Sequence, residues 1–271
     1  MRSSNTGISR RAVITVSAIV LFVSLVFYLV FSYMVTSLAV ELTLYSNNWS
    51  GYAVALPRSA SAATTFSSIS ASWTVPAISS ATIPGYSSVW IGIGGFLERS
   101  NRLIQAGTEQ DIASDGSKNY YAWFESLPQP TVNVGRVSPG DLINVRINRV
   151  GDPQSTWHVT LSKESKGIIT TLIGKDVTIR KNSVSSRSAE FMVEAPAAVS
   201  GRTASRLLPL SDFRTVTFAN CTTNLGGLDS LTKLYRFIMT SDGTKNGMEL
   251  ASPSALSANG FKVNMLNNLG Q

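Results

Sequence analysis

The chain has 271 residues with 23 Lys+Arg against 16 Asp+Glu, one histidine and one cysteine. A lone Cys221 cannot form an internal disulfide, and His158 with Cys221 cannot build a zinc site of nitrogen and sulfur ligands; a Ser-His-Asp mechanism would have to rest on His158 alone. The basic residues are scattered without a run of five, which argues against nucleic acid as a partner, and no cofactor or metal motif is present.

In chain order, the first element is apolar. Residues 12–40 carry no charge, follow Arg2, Arg10 and Arg11, and precede Glu41. A bilayer core needs about 20 apolar residues in a helix. The reading is a basic cytoplasmic flank over 1–11, a signal-anchor or transmembrane helix over 12–40 and an exported domain over 41–271. Ser37-Leu38-Ala39 offers a signal-peptidase site, so secretion after cleavage is the variant of this reading, although the run exceeds the usual h-region of about 7–15 residues. The domain then acts outside the cell, attached to the membrane or released.

From residue 45 the pattern changes to short runs rich in Val, Ile, Thr and aromatics. They fall at 66–75, 87–93, 120–127, 141–150, 156–162, 167–173, 188–194 and 213–220. Pro84-Gly85, Asp115-Gly116, Pro139-Gly140-Asp141 and Gly151-Asp152-Pro153 punctuate them. Such spacing predicts an all-β sandwich or barrel. His158 alternates with apolar neighbours and is read as an outward strand residue. Within 188–194, alternation puts Glu190, Met192 and Glu194 on one face and Ala189, Phe191 and Val193 on the other. Within 120–125 it groups Tyr121, Trp123 and Glu125. A face of aromatics and carboxylates suits a polymer-binding groove, and equally a half-exposed sheet. Gln105, an uncharged amide between Ile104 and Ala106-Gly107, reads on its own as a surface residue.

The motifs "SNNWSGYAV" (46–54), "ISASWTVP" (69–76), "SSVWIGIGG" (87–95), "LIQAGTEQD" (103–111), "YAWFESLP" (121–128), "VSPGDLINVRI" (137–147), "AEFMVEAP" (189–196) and "LPLSDFRTVTFAN" (208–220), with the tail "SPSALSANGFKV" (252–263), stand in one order. In that order they resemble the glutamic peptidases, also called eqolisins or the scytalidoglutamic peptidase family. The resemblance implies a concanavalin-like sandwich of two bent antiparallel sheets with the site on the concave face. It implies an acid endopeptidase with a Gln/Glu dyad, here Gln105 in "IQAG" and Glu194 at the end of "AEFMVE". It implies groove residues at Trp90, Trp123 and Glu125, and protein or peptide as substrate. Glu190 matches a family position and is read as structural; Trp49 is read as core or groove wall. Gly94 stands where the family often has Asp, Phe191 where Trp is common, and an acid after the glutamine motif is displaced around Glu109 to Asp111. The few residues between Val40 and Ser46 leave no room for the pro-segment of fungal members. A non-catalytic sandwich binding peptide or carbohydrate in the same groove is the alternative, and a glycosidase using Glu125 and Glu194 a third reading. Asn48-Trp49-Ser50 and Asn220-Cys221-Thr222 fit the glycosylation pattern.

Overall fold

A computed structural model describes residues 24, 26, 40–61, 64–79, 84–96, 102–151, 156–179, 184–200, 203–228 and 233–267. The expected helix over 12–40 lies outside them except for Ser24 and Val26, which are helical, and Val40, which already belongs to a strand. Among the described residues no helix is long and apolar enough to cross a membrane. The chain divides into two units, Met1–Ala39 and Val40–Gln271.

The second unit is built of strands. They are β1 (Val40–Ser46), β2 (Trp49–Ala55), β3 (Ser68–Thr74), β4 (Gly85–Ile93), β5 (Ile104–Ile112) and β6 (Lys118–Ser126). Next come β7 (Val132–Arg136), β8 (Leu142–Arg149), β9 (Thr156–Ser165), β10 (Ile168–Thr178), β11 (Ser188–Glu194) and β12 (Ala197–Ser200). The last are β13 (Thr203–Leu207), β14 (Thr215–Thr223), β15 (Gly226–Gly227), β16 (Lys233–Thr240), β17 (Glu249–Pro253) and β18 (Phe261–Met265). All eight runs expected from residue type become strands. Asp115 closes the β5–β6 turn by accepting from the Ser117 N–H at 2.9 Å, and Gly116 supplies its positive φ of 80°.

Two points correct the expectation of two antiparallel sheets. Pairing is continuous, in the order β10-β9-β8-β3-β14-β18-β17-β16-β2-β11-β4-β5-β6-β7, so one sheet folds over on itself. In addition, β1 pairs parallel to β16, and β12 pairs only with β13. The two halves nevertheless pack face to face as a sandwich. Alternate residues of β8 and β9 (Ile143, Val145, Ile147, Trp157, Val159, Leu161) turn inward and are fully or almost fully buried. Trp73, Phe191 and Phe218 are buried too, with the Trp73 and Phe218 rings 5.7 Å apart, and burying each such side chain contributes about 2–3 kcal/mol. The Trp73 indole N–H donates across the layers to Thr108 Oγ1 at 3.1 Å. His158 lies on the outer side of β9 and its Nδ1 pairs with Asp176 on β10.

Candidate active site

Five neighbouring strands, β2-β11-β4-β5-β6, present one face away from the sandwich core, and their register arranges its side chains in rows. One row runs Trp49, Glu194, Ser88, Glu109, Tyr121. The next runs Gly51, Met192, Trp90, Gly107, Trp123, and the third Ala53, Glu190, Gly92, Gln105, Glu125. The period-2 grouping read from the sequence therefore holds on both β11 and β6. Met192, Trp90 and Trp123 belong to one buried apolar cluster with Trp49 and Tyr121 packed against it. Trp90 and Trp49 meet edge to face at 5.4 Å, and Trp49 meets Phe237 at 5.8 Å, so Trp49 is part of this groove wall. Gly107 makes the floor possible. A Cβ there would lie 2.2 Å from the Val89 carbonyl and 2.6 Å from Trp90 Cβ.

Glu194 ends β11 and is partly buried. Its Oε2 accepts from the Trp90 indole N–H at 2.7 Å, and its Oε1 accepts from Asn48 Nδ2 at 3.1 Å. The Trp49 indole N–H faces the same carboxyl without closing a hydrogen bond. Burial pushes the Glu194 pKa up to about 7, the three donors oppose that rise, and the charge of Glu125 adds to it. The carboxyls of Glu125 and Glu194 therefore sense each other across the floor.

Gln105 lies on β5 opposite Glu125 on β6. It is 7% exposed, and its Nε2 donates to Glu125 Oε2 at 2.7 Å. Glu125 Oε1 accepts from the Thr131 hydroxyl at 2.6 Å. With Glu125 Oε2 as its acceptor, the nitrogen end of the Gln105 amide faces β6. The amide oxygen is thereby turned elsewhere, and it is buried without a partner. The Trp123 indole N–H, on the same face, is also buried and unpartnered.

The sequence model of the peptidase A4 family matches residues 47–263. The chain belongs to that family. It is a glutamic-type endopeptidase by membership. The fold is similar to scytalido-glutamic peptidase crystallised with a transition-state analogue inhibitor, with a TM-score of 0.65 and 20% identity over 82% of this chain and 100% of that one. It is similar to SCP-B, an eqolisin solved with the tripeptide Ala-Ile-His, with a TM-score of 0.57 and 20% identity over 82% and 100%. It is also similar to aspergilloglutamic peptidase from Aspergillus niger, with a TM-score of 0.51 and 24% identity over 67% and 99%. No curated protein matches the chain by sequence.

The departures from the A4 pattern have local causes. Gly94 has a φ of 90°, and a Cβ there would lie 2.3 Å from the Arg102 carbonyl and 2.8 Å from that of Ser185. An aspartate cannot occupy that backbone. Phe191 points into the sandwich core, away from the groove, and is fully buried. Glu109 and Asp111 both point to the groove face and share a hydrogen bond. Burial raises both, Asp111 to about 6 and Glu109 well above the carboxylate range, so Glu109 holds the proton. Glu190 is fully buried and burial raises it strongly; the Ser188 side chain and the Phe96 backbone face its carboxyl and oppose the rise without closing a hydrogen bond. A neutral acid under the groove is the consequence.

Sequence reasoning missed Asn48 and Thr131, and it noted Glu109 to Asp111 without pairing the two acids. Asn48 and Thr131 reach the site through hydrogen bonds over sequence separations of 146 and 6 residues. Asn48 offered one signal, its place beside Trp49 in the first family-like motif. In the folded chain Asn48 donates to Glu194 and Ser50 is fully buried, an arrangement that a glycan on Asn48 would break.

Proposed function

We propose that this domain hydrolyses peptide bonds by a Gln105/Glu194 dyad acting on one water. The observation that carries the reading is the pair of anchored groups on one floor: Glu194 held by Trp90 and Asn48, and Gln105 held by Glu125 with its oxygen unsatisfied. Gln105 Oε1 accepts a hydrogen bond from one O–H of the water, and that proton stays on the water oxygen. The Glu194 carboxylate removes the other as the water oxygen attacks the carbonyl carbon. The second Nε2–H of Gln105 donates to the oxyanion that forms. Glu194 then gives its proton to the amide nitrogen, the C–N bond breaks, and acid and amine leave. The amide serves at any pH because it does not ionise. No metal and no covalent intermediate enter this sequence.

The substrate is an extended peptide on the groove face. The unpartnered Trp123 indole N–H suits a substrate carbonyl; Trp90 is fully buried and acts through its hydrogen bond to Glu194. With Glu194 near pH 7, about one carboxyl in a hundred is ionised at pH 5. Turnover of the free enzyme with dilute substrate then climbs about tenfold per pH unit through the acid range. A weakly acidic optimum follows once stability, treated in the Discussion, limits the upper side.

Casein digestion by the full chain from pH 2 to 7 tests this, with Glu194→Gln and Gln105→Ala alongside. Cleavage by the parent and its loss in both variants is the expected result; equal cleavage by all three overturns the dyad. Binding of peptide without cleavage by the parent leaves the alternative, a non-catalytic groove. Loss of sugar-polymer hydrolysis in Glu125→Gln marks the glycosidase reading.

We infer also that residues 1–11 stay in the cytoplasm, 12–40 anchor the chain and 41–271 act outside. The support is the uncharged run behind Arg2, Arg10 and Arg11. An impermeant lysine label applied to intact cells is expected to reach the domain, or the domain to be found in the medium. Protection of the domain inside the cells overturns the inference.

A further inference from the structure

We propose that Ser46 and Asn48 are positioning residues, a two-step hydrogen-bond relay that aims one donor at the Glu194 carboxyl and holds that carboxyl in a single orientation. The proposal rests on the reading of Glu194 as the group that moves the proton.

The relay is built at the turn between β1 and β2. Ser46 Oγ accepts from two backbone N–H groups, Asn48 at 3.2 Å and Trp49 at 3.1 Å. Both lone pairs of the hydroxyl are then used, and its one proton goes to Asn48 Oδ1 at 2.9 Å. The Asn48 amide cannot flip without losing that bond. Its nitrogen is therefore committed to the other side, where it donates to Glu194 Oε1 at 3.1 Å. Trp90 holds Oε2 from β4, so each carboxyl oxygen has one fixed donor and keeps capacity for water. The Ala195 N–H donates to the Asn48 carbonyl at 2.8 Å, tying the end of β11 to the same turn.

The ionisable groups that face Glu194 are both acids: the charge of Glu125 on β6 opposes its ionisation, and the charge of Glu194 in turn raises Glu109 on β5. Asn48, Trp90 and Trp49 are the groups that favour it. A neutral amide is the residue type that can add a donor here without adding a charge. The relay begins on the last residue of β1, which pairs parallel with β16. The strand that leads in from the N-terminal unit thus supplies the hydroxyl that orients the proposed base.

The test measures the Glu194 titration directly, by carbon NMR of the labelled carboxyl in the full chain, beside the pH profile of kcat/KM. Asn48→Asp keeps the shape and the oxygen facing Ser46 but replaces the donor by an acceptor. An upward shift of at least about one pH unit is expected, with about tenfold lower kcat/KM on the acid limb. Asn48→Ala is expected to shift it by about one unit. Ser46→Ala, which leaves both ends of the amide in place and only frees its flip, is expected to give a smaller shift of the same sign. A Glu194 titration unmoved in Asn48→Asp and Asn48→Ala overturns the proposal, as does an unmoved titration in Ser46→Ala should the Asn48 variants fail to fold. A titration that moves while the kcat/KM profile stays in place supports the relay and removes Glu194 from the proton transfer.

Discussion

Raising the pH should unfold this protein from the groove side, and the effect can be sized. Glu190 is fully buried without a hydrogen bond, Glu194 is raised to about 7, and the Glu109–Asp111 pair holds a proton well above the ordinary range. Unfolded, these acids ionise near pH 4 to 4.5. Between that pH and about 6 the folded chain therefore binds about three more protons than the unfolded chain. The sign follows directly: a raised carboxyl pKa contributes no penalty below the unfolded value and costs stability as pH rises toward the folded value. Three retained protons give a slope of about −4 kcal/mol per pH unit, or roughly 6 kcal/mol lost by pH 6. That is comparable to the whole stability of an ordinary domain, about 5–15 kcal/mol. Urea unfolding followed by tryptophan fluorescence at half-unit steps from pH 4 to 6.5 reads the slope. Glu190→Gln, equal in shape but unable to ionise, is expected to make it shallower by about 1.4 kcal/mol per pH unit. A flat profile, or the same slope in parent and Glu190→Gln, refutes the reasoning that these acids are held neutral by burial.

Further outcomes follow from single contacts. Trp90→Phe keeps the ring but removes the 2.7 Å donor to Glu194; the acid limb of kcat/KM is expected to move up by about 1–2 pH units. Glu125→Gln frees the Gln105 amide to flip, and kcat is expected to fall about tenfold or more with little change in KM, measured on a fluorogenic peptide. Gly107→Ala places a carbon 2.2 Å from the Val89 carbonyl, so thermal unfolding is expected well below the parent's, with a loss of about 3 kcal/mol or more. Trp73→Phe removes the bond to Thr108 and leaves a small void in the core, and is expected to cost about 2–4 kcal/mol in urea unfolding.

These outcomes bear on how activity and stability share the pH scale. Ionising Glu194 is what the proposed chemistry requires, while burial of Glu190 and Glu109 makes the same rise in pH destabilising. The window between them is narrow and lies in weak acid. A low charge count, 14% of residues, keeps the rest of the molecule from adding many further titrating carboxylates.

Strand identity and the face on which each side chain sits were decided by the sequence itself, because alternation is a property of a single strand and needs no partner. That is why Glu190, Met192 and Glu194, and likewise Tyr121, Trp123 and Glu125, could be grouped before any pairing was known. The order of motifs also led to Gln105 and Glu194. Register across strands was decided only in the tertiary structure. Pairing brings Gly92 opposite Gln105, Trp90 opposite Gly107 and Glu194 opposite Ser88, and no local pattern specifies those alignments. The fold-over of one sheet, the parallel β1 and the Asn48–Glu194 contact across 146 residues belong to the same class. Burial is likewise collective: the same glutamate pattern on β11 leaves Glu194 partly exposed and Glu190 sealed, because their neighbours come from other strands.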